Sequence, residues 1–353
     1  MKFIEDSTEK GDEFKNDLKN AKKETLKLLD EVKNSFIYEV DISRVEEFHK
    51  VPSAGVDGSN QVVGGKFGKF FILLASGISK FLDGPLNECE MEFSDVKTLS
   101  YFDPVEKKVY SVAEDLMLEL ETKAIYHFIN KESPTNSPCY LILDGPIVDP
   151  PRYPLDYERS DNNYIKYRTK AILNGITKEP PIVIAGYNKR IMGYYFKKHI
   201  ESELGKKIKT VYSDFDVLSI IFLELLNRDP SKVYFTKPIK NTESNIYEEY
   251  EKEGLIIYSS YSMFSPRSPL FRVDIAVTGK LSYRYISKMM EETILLLKAS
   301  TLPGLWYPIQ ITTVHEKVSI RRGAAEVLYN EILTRAASTS EDMISTLVSY
   351  LIE

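Results

Sequence analysis

The chain has 353 residues, of which 43% are hydrophobic and 28% charged, so it can bury the core of one large or two modest domains. Its net charge of -6 excludes a uniformly basic nucleic-acid-binding protein, although an enzyme needs only a local basic channel. The apolar runs are too short to cross a bilayer, and Cys89 and Cys139 form no metal-binding motif. Because the first residues also lack the apolar core of a signal peptide, we expect a cytoplasmic protein without a membrane segment.

The first predicted element is one charged helix over residues 9–36, within an N-terminal helical extension over residues 1–40. Apolar residues recur there at alternating steps of four and three, as in a heptad seam. The seam consists of Phe14, Leu18, Ala21, Leu28 and Val32, with Thr25 as a polar interruption. Two interpretations stay open: the helix packs on its own domain, or its seam contacts a second copy or another partner.

The following elements predict a mixed α/β sheet. Residues 54–81 are expected to form a β-meander with glycine turns. It is followed by a strand over 97–102, a helix over 112–130, a strand ending at Asp144, a helix over 157–176 and a strand over 180–186. This order is typical of a ribonuclease-H-like sheet with flanking helices, in which acids from the first strand and a later strand meet at the sheet edge.

The C-terminal half is predicted to add strands and helices to this sheet. They are extended segments at 255–261 and 270–277 and helices at 281–299, 321–337 and 341–352. Ser338 and Glu341 have the spacing of a capping box. Residues 309–315 are predicted to form a strand that leads into a turn and a helix.

Two aspartates follow apolar strand segments and precede a glycine. Asp57 lies in the segment 54–59, and Asp144 follows the apolar run 140–143. An aspartate at the end of a strand places its carboxylate at the rim of a sheet, where two such carboxylates can bind one divalent cation. The alternative is that each aspartate only caps a turn, as Asp-Gly pairs often do.

Glu121 lies within an apolar stripe of the predicted helix over 112–130. The stripe also contains Met117, Ala124, Ile125 and Phe128. An unpaired carboxylate is costly to bury, so a metal, a cation or a buried hydrogen bond must compensate it. The alternative is a partly exposed position at the edge of the stripe, paired with a lysine. Glu114 and Glu119 on the same helix are interpreted as solvated.

Three further side chains are candidates for a chemical role. His315, one of four histidines, has Tyr307 and Glu316 as polar neighbours, and histidine can bind a metal or transfer a proton near neutral pH. Lys189 follows a strand and either neutralises a phosphate or is an exposed loop lysine. No phosphate-binding glycine loop and no Ser-His-Asp motif stands out in the sequence. Base stacking with backbone contacts, or only surface packing, is open for Arg152, Tyr153, Tyr157 and Arg159.

The order and character of these motifs resemble the NurA family, archaeal and bacterial nucleases that work with the HerA hexameric helicase-translocase. The matching motifs are Val56-Asp57-Gly58-Ser59, Leu120-Glu121, Leu143-Asp144-Gly145-Pro146, Ile184 to Lys189, Tyr307-Pro308 and Val314-His315. The resemblance implies a dimeric protein with a ribonuclease-H-like nuclease domain over residues 41–353 and Mn²⁺ or Mg²⁺ as the cofactor.

The resemblance also implies which residues carry the chemistry. The metal ligands would be Asp57, Glu121, Asp144 and His315, and the further catalytic side chains would be Tyr307 and Lys189. Either Glu114 or Glu119 is an alternative to Glu121 as the ligand from that helix.

The activity implied by the resemblance is metal-dependent hydrolysis of DNA phosphodiester bonds. The family implies 5′–3′ exonuclease and single-strand endonuclease activity in DNA end resection for recombinational repair, together with a HerA-type translocase. Two alternatives remain open. One is a ribonuclease-H-like enzyme that cuts RNA or a hybrid, and the other is a non-catalytic adaptor that regulates a DNA translocase.

Overall fold

The computed structural model describes residues 2–131, 139–148, 162–191, 193–205, 213–242, 245–279 and 281–338. Several predicted features lie outside these ranges. They are the residues 152–159 considered for base stacking, the start of the predicted helix over 157–176, Glu341 of the predicted capping box and the predicted helix over 341–352.

The helices of the described ranges alternate with strands along the chain. The helices are α1 Lys2–Leu26, α2 Leu29–Phe36, α3 Val109–Lys131, α4 Asn162–Ile176, α5 Tyr195–Leu204, α6 Asp214–Arg228, α7 Asn245–Lys252, α8 Tyr283–Ser300, α9 Ile309–Val318 and α10 Arg322–Ser338. The strands are β1 Ile37–Asp41, β2 Ser53–Gly64, β3 Lys69–Phe81, β4 Glu90–Phe102, β5 Cys139–Asp144, β6 Ile182–Asn188, β7 Lys232–Thr236, β8 Ile239–Lys240, β9 Ile256–Ser262 and β10 Phe271–Val277.

The chain divides into two compact units. The first unit contains Met1–Lys50, Gly145–Tyr153 and Ala185–Pro308, and the second contains Val51–Asp144, Pro154–Ile184 and Ile309–Glu353. Strand β6 belongs in part to each, with its first three residues in the second unit and its last four in the first.

The sheet of the second unit has the strand order β6-β5-β2-β3-β4. Strand β2 pairs parallel with β5 and antiparallel with β3, and β3 pairs antiparallel with β4. The β2–β3 connection turns at Gly64 and Gly65, whose φ values of 105° and 99° favour glycine. Helices α3 and α9 both pack against β2 and β3. This mixed sheet with flanking helices confirms the predicted ribonuclease-H-like fold class and the predicted order from β2 to β6.

The start of helix α3 is fixed by an aspartate in the preceding loop. The carboxylate of Asp103 accepts hydrogen bonds from the backbone N–H groups of Lys108 at 2.7 Å and Val109 at 3.0 Å. The first of these bonds is the main reason that the pKa of Asp103 lies below its usual value. Because these N–H groups have no partner within the helix, this contact defines where the helix that carries Glu121 begins.

The first unit is built on antiparallel pairs in the order β1-β7-β9-β10-β6, with β8 paired to β9. Its helix α6 begins with a complete capping box between Ser213 and Asp216. The predicted single helix over residues 9–36 is instead two helices, α1 and α2. Of its seam, Ala21, Thr25 and Val32 are buried, whereas Phe14 and Leu18 remain 63% and 53% exposed.

Candidate metal centre

Asp57 lies inside a strand and not at the end of one, so the predicted Asp-Gly turn at this position is wrong. Strand β2 continues to Gly64 because β3 pairs with it along the whole length from Ser53 to Gly64. Gly58 has a different use. A Cβ atom at Gly58 would lie 3.0 Å from Cγ of Met117, so the glycine allows α3 to approach the strand closely.

Asp144 does end its strand, as its sequence predicts. Strand β5 runs parallel to β2, and the last paired residues are Val56 and Leu143. Asp57 and Asp144 follow these two positions directly, and Gly145 after Asp144 has a φ of 134° that favours glycine. The parallel register therefore places the two aspartates side by side where β5 ends.

His315 lies on helix α9, which corrects the prediction of a strand over 309–315. Glycines on the sheet let this helix sit close to it. A Cβ at Gly55 would lie 2.4 Å from the backbone oxygen of Gln310, and one at Gly77 would lie 2.8 Å from Cγ1 of Val318. The same backbone oxygen of Gln310 accepts a hydrogen bond from the hydroxyl of Ser79 at 2.8 Å. These tertiary contacts override the β-like pattern of the segment.

The two helices cover opposite faces of strand β2, because side chains alternate between the two faces of a strand. On one face, Gly55 contacts α9 and the hydroxyl of Ser59 accepts a hydrogen bond from the N–H of Ile320 at 3.1 Å. Asp57 lies between these two positions and has the same parity, so it faces α9. Gly58 faces α3.

The structure brings together three of the predicted ligands. Nδ1 of His315 lies 2.8 Å from Oδ2 of Asp57 and 3.5 Å from Oδ2 of Asp144. One ligand atom from each of the three residues lies within 4.8 Å of the other two. The aspartate side chains are 8% and 10% exposed, whereas the histidine side chain is 57% exposed. The cluster is therefore buried on its carboxylate side and open on its imidazole side.

This donor set fits a divalent cation. Two carboxylates and an imidazole offer the oxygen and nitrogen ligands that Mn²⁺ accepts, and neighbouring ligands of an octahedral ion at about 2.1 Å lie about 3 Å apart. Two negative charges at this separation repel each other, and a bound cation relieves that repulsion. The spacing of Asp57, Asp144 and His315 satisfies both requirements.

Glu121 is buried beside this cluster and is not one of its three members. Its Cβ lies 3.7 Å from the position of a Cβ at Gly58, so it is next to the residue that follows Asp57, on the α3 side of the strand. Its Oε1 accepts a hydrogen bond from Nη2 of Arg168 at 3.0 Å. Of the predicted compensations for a buried carboxylate, a buried cation is present. The alternative of an exposed position paired with a lysine is wrong for Glu121.

The other acids of α3 behave as predicted. Glu114 is exposed, and Glu119 pairs with Lys123 one helical turn later. Arg168 was missed, although its sequence carries a signal. It lies three residues after Ile165 and three before Ala171, both buried, so it falls on the apolar face of α4 just as Glu121 falls on that of α3.

Tyr307 and Lys189 lie in the first unit, where they contact each other. The ammonium of Lys189 is 4.7 Å from the centre of the Tyr307 ring, a cation–π contact. The same ring meets Tyr187 edge to face, with 6.2 Å between the ring centres. Lys189 is therefore held against an aromatic ring.

Fold and site together define a mixed α/β protein with a candidate divalent-metal centre at the end of strand β5. The model of the NurA domain matches residues 52–320, which is most of the chain. The chain therefore belongs to the NurA family, and this membership supports a nuclease function. No curated protein matches the chain.

Solved structures agree with this assignment at the level of the fold. The NurA nuclease from Sulfolobus solfataricus matches with a TM-score of 0.60 and 16% identity, over 96% of this chain and 98% of that one. A second NurA structure matches with a TM-score of 0.40 and 13% identity, over 90% and 97% of the two chains. A DNA complex of endonuclease V from Ciona intestinalis matches with a TM-score of 0.34 and 14% identity, over 81% and 95%.

None of the helices in the described ranges combines the length and the apolar character that a bilayer span requires.

Proposed function

We propose that this chain is a divalent-metal-dependent DNA nuclease that hydrolyses phosphodiester bonds. The observation that carries the proposal is the convergence of Asp57, Asp144 and His315, whose ligand atoms lie within 4.8 Å of one another. Membership in the NurA family adds support. A member of that family with the same fold is described as a nuclease.

The proposed ligands are Asp57, Glu121, Asp144 and His315, and the proposed cofactor is Mn²⁺ or Mg²⁺, since carboxylate-rich sites suit hard cations. When bound, such a cation supplies Lewis acidity, which activates water for attack on phosphorus and offsets charge on the leaving oxygen. Asp57 and Asp144 provide the buried negative charge that attracts the cation. The exposed imidazole of His315 accepts or returns a proton on the open side of the site.

Lys189 and Tyr307 are proposed as further catalytic side chains. The ammonium of Lys189 neutralises charge on the phosphate, and the ring of Tyr307 restricts where that ammonium lies through the contact of 4.7 Å. The proposed nuclease domain covers residues 41–353, with residues 1–40 as an N-terminal extension.

The proposed process is DNA end resection for recombinational repair in the cytoplasm. In it, a homodimer works with a HerA-type hexameric translocase and has 5′–3′ exonuclease and single-strand endonuclease activity. Phe14 and Leu18 on α1 are candidates for a partner contact, since both are large apolar side chains that remain more than half exposed.

A cleavage assay with labelled DNA, RNA and hybrid strands in Mn²⁺, Mg²⁺ or EDTA tests the proposal. We expect the parent protein to cut DNA with Mn²⁺. The variants D57A and D144A should cut about a thousandfold more slowly, because loss of a ligand removes several kcal/mol of transition-state stabilisation. The control is D83A, which removes an exposed aspartate of the same unit and should keep the parent rate.

Three outcomes contradict parts of the proposal. Equal rates for the parent, D57A and D144A reject the catalytic assignment. Preferential cleavage of RNA or hybrid strands identifies the enzyme as a ribonuclease. Absence of cleavage with every divalent ion, even with a HerA-type translocase present, favours a non-catalytic adaptor.

A further inference from the structure

Arg168 forms a fully buried contact with two consecutive residues of α3. Its side chain has no exposed surface, and it is among the largest fully buried side chains of the described residues. Its Nη1 donates to Oγ1 of Thr122 at 3.0 Å, and its Nη2 donates to Oε1 of Glu121 at 3.0 Å. One planar guanidinium therefore spans both acceptors on a single turn of helix.

Thr122 provides a fixed anchor for this guanidinium. Its hydroxyl donates its proton to the backbone oxygen of Leu118 at 2.8 Å. The hydroxyl oxygen consequently presents a lone pair to Arg168. The rigid fork of an arginine then fixes where Nη2 lies, and with it the carboxylate that Nη2 binds.

Stability alone is a weak reason for this ion pair. Removing two charges from water costs several kcal/mol per ion, and well-packed apolar residues of similar volume often stabilise a protein equally well. The surrounding face of α4 is apolar, with Ile165, Ala171 and Ile172 all buried. The pair therefore calls for a use beyond packing, and the nearest candidate is the metal centre, since Glu121 lies beside Gly58.

We propose that Arg168 is a positioning residue, which is anchored on Thr122 and holds the carboxylate of Glu121 in the orientation that binds the divalent cation. This inference rests on the proposed role of Glu121 as a ligand. A carboxylate offers about four lone-pair positions, so a contact between Oε1 and Arg168 is compatible with cation binding. Holding the ligand in place before the cation arrives strengthens binding, as partners behind metal ligands commonly do.

The test measures Mn²⁺ binding without DNA, by titration calorimetry and by the electron paramagnetic resonance signal of free Mn²⁺. R168K keeps the charge and loses the planar fork, so it should bind Mn²⁺ about 10–100-fold more weakly than the parent. E121Q should weaken binding as well. In the double variant, R168K should change the affinity of E121Q by less than about twofold, because Arg168 acts through Glu121.

R272K is the matched control, since Arg272 also pairs with a buried carboxylate, that of Asp274, at 3.0 Å. It should leave the Mn²⁺ affinity unchanged. Thermal unfolding of every variant identifies any that are not folded at the temperature of the titration. T122V, which removes only the anchor, gives a second and milder variant and should weaken Mn²⁺ binding less than R168K does.

Each result has one consequence. Weaker binding in R168K and T122V that disappears in the E121Q background supports the positioning role. Unchanged or tighter Mn²⁺ binding in R168K overturns it, and so does an equal loss of affinity in the parent and E121Q backgrounds. If the parent itself binds no Mn²⁺ and cuts no DNA, the proposed function fails first, which separates that failure from failure of the inference.

Discussion

Asp274 in the first unit and the pair Asp57 and Asp144 in the second are all buried carboxylates, but their partners differ. The oxygens of Asp274 accept hydrogen bonds from Ser259 at 2.6 Å, Asn188 at 2.9 Å and Arg272 at 3.1 Å. In the second unit, both aspartates lie against the same nitrogen of His315.

This difference separates a structural acid from a functional one. Protein donors on three strands surround Asp274, so it joins those strands and offers nothing to a ligand. A single imidazole nitrogen carries at most one proton, so it can donate to only one carboxylate at a time. Asp57 and Asp144 therefore bring more negative charge together than His315 can offset, which is a reason to expect a cation there.

The largest difference between the two carboxylate groups should appear in stability. D274N leaves the buried guanidinium of Arg272 without its ionic partner, which should lower the free energy of unfolding by about 3–5 kcal/mol. D57N, measured in EDTA, should change it by about 1 kcal/mol or less, because it removes one of two like charges while weakening one hydrogen bond. Urea unfolding of both variants provides the measurement. A loss in D57N as large as that in D274N would mean that Asp57 is a structural acid as well.

A smaller effect should follow from filling the close contact between β2 and α9. G55A places a Cβ 2.4 Å from the backbone oxygen of Gln310, so the helix must shift. We expect a loss of about 1–3 kcal/mol in unfolding free energy, with weaker Mn²⁺ binding because His315 moves with α9. The control, G323A, meets no atom within 4 Å and should be neutral or stabilising by up to about 1 kcal/mol. If G55A unfolds and binds Mn²⁺ like the parent, α9 does not position the site.

The smallest expected effect concerns pH and the first unit. Burial lowers the pKa of His199, whose ring meets Phe36 edge to face at 5.9 Å, and Glu203 only partly opposes this shift. Between that lowered pKa and about 6.5, the unfolded chain binds more protons, so stability should decrease as the pH falls through this window. H199F should lack this part of the pH dependence. Unfolding at about pH 7.5, 6.5 and 5.5 tests it, and parallel curves for parent and variant would contradict it.

The parts of the fold that could be predicted from sequence are those with local signals. The apolar run before Asp144 and the glycine after it predict a strand end, and β5 ends there. The segment 309–315 was predicted incorrectly because its β-branched residues favour a strand, whereas α9 is set by glycines that lie more than 200 residues earlier in the chain. No local pattern encodes a contact of that kind.

The candidate site divides in the same way. The sequence alone predicted that Asp57, Asp144 and His315 would be ligands, and the structure places them within reach of one cation. For Glu121, the burial could be predicted from the helical stripe, but the partner could not. Arg168 lies 47 residues further on, and only the packing of α4 on α3 brings the two together.

A crystal structure of the protein soaked in Mn²⁺, with anomalous diffraction to locate the ion, tests the central claim most directly. We predict an anomalous peak within about 2.0–2.6 Å of carboxylate oxygens of Asp57 and Asp144 and of a ring nitrogen of His315, the range of oxygen and nitrogen ligands. A fully soaked crystal with no Mn²⁺ between these three residues, or with Mn²⁺ bound only elsewhere, would contradict it.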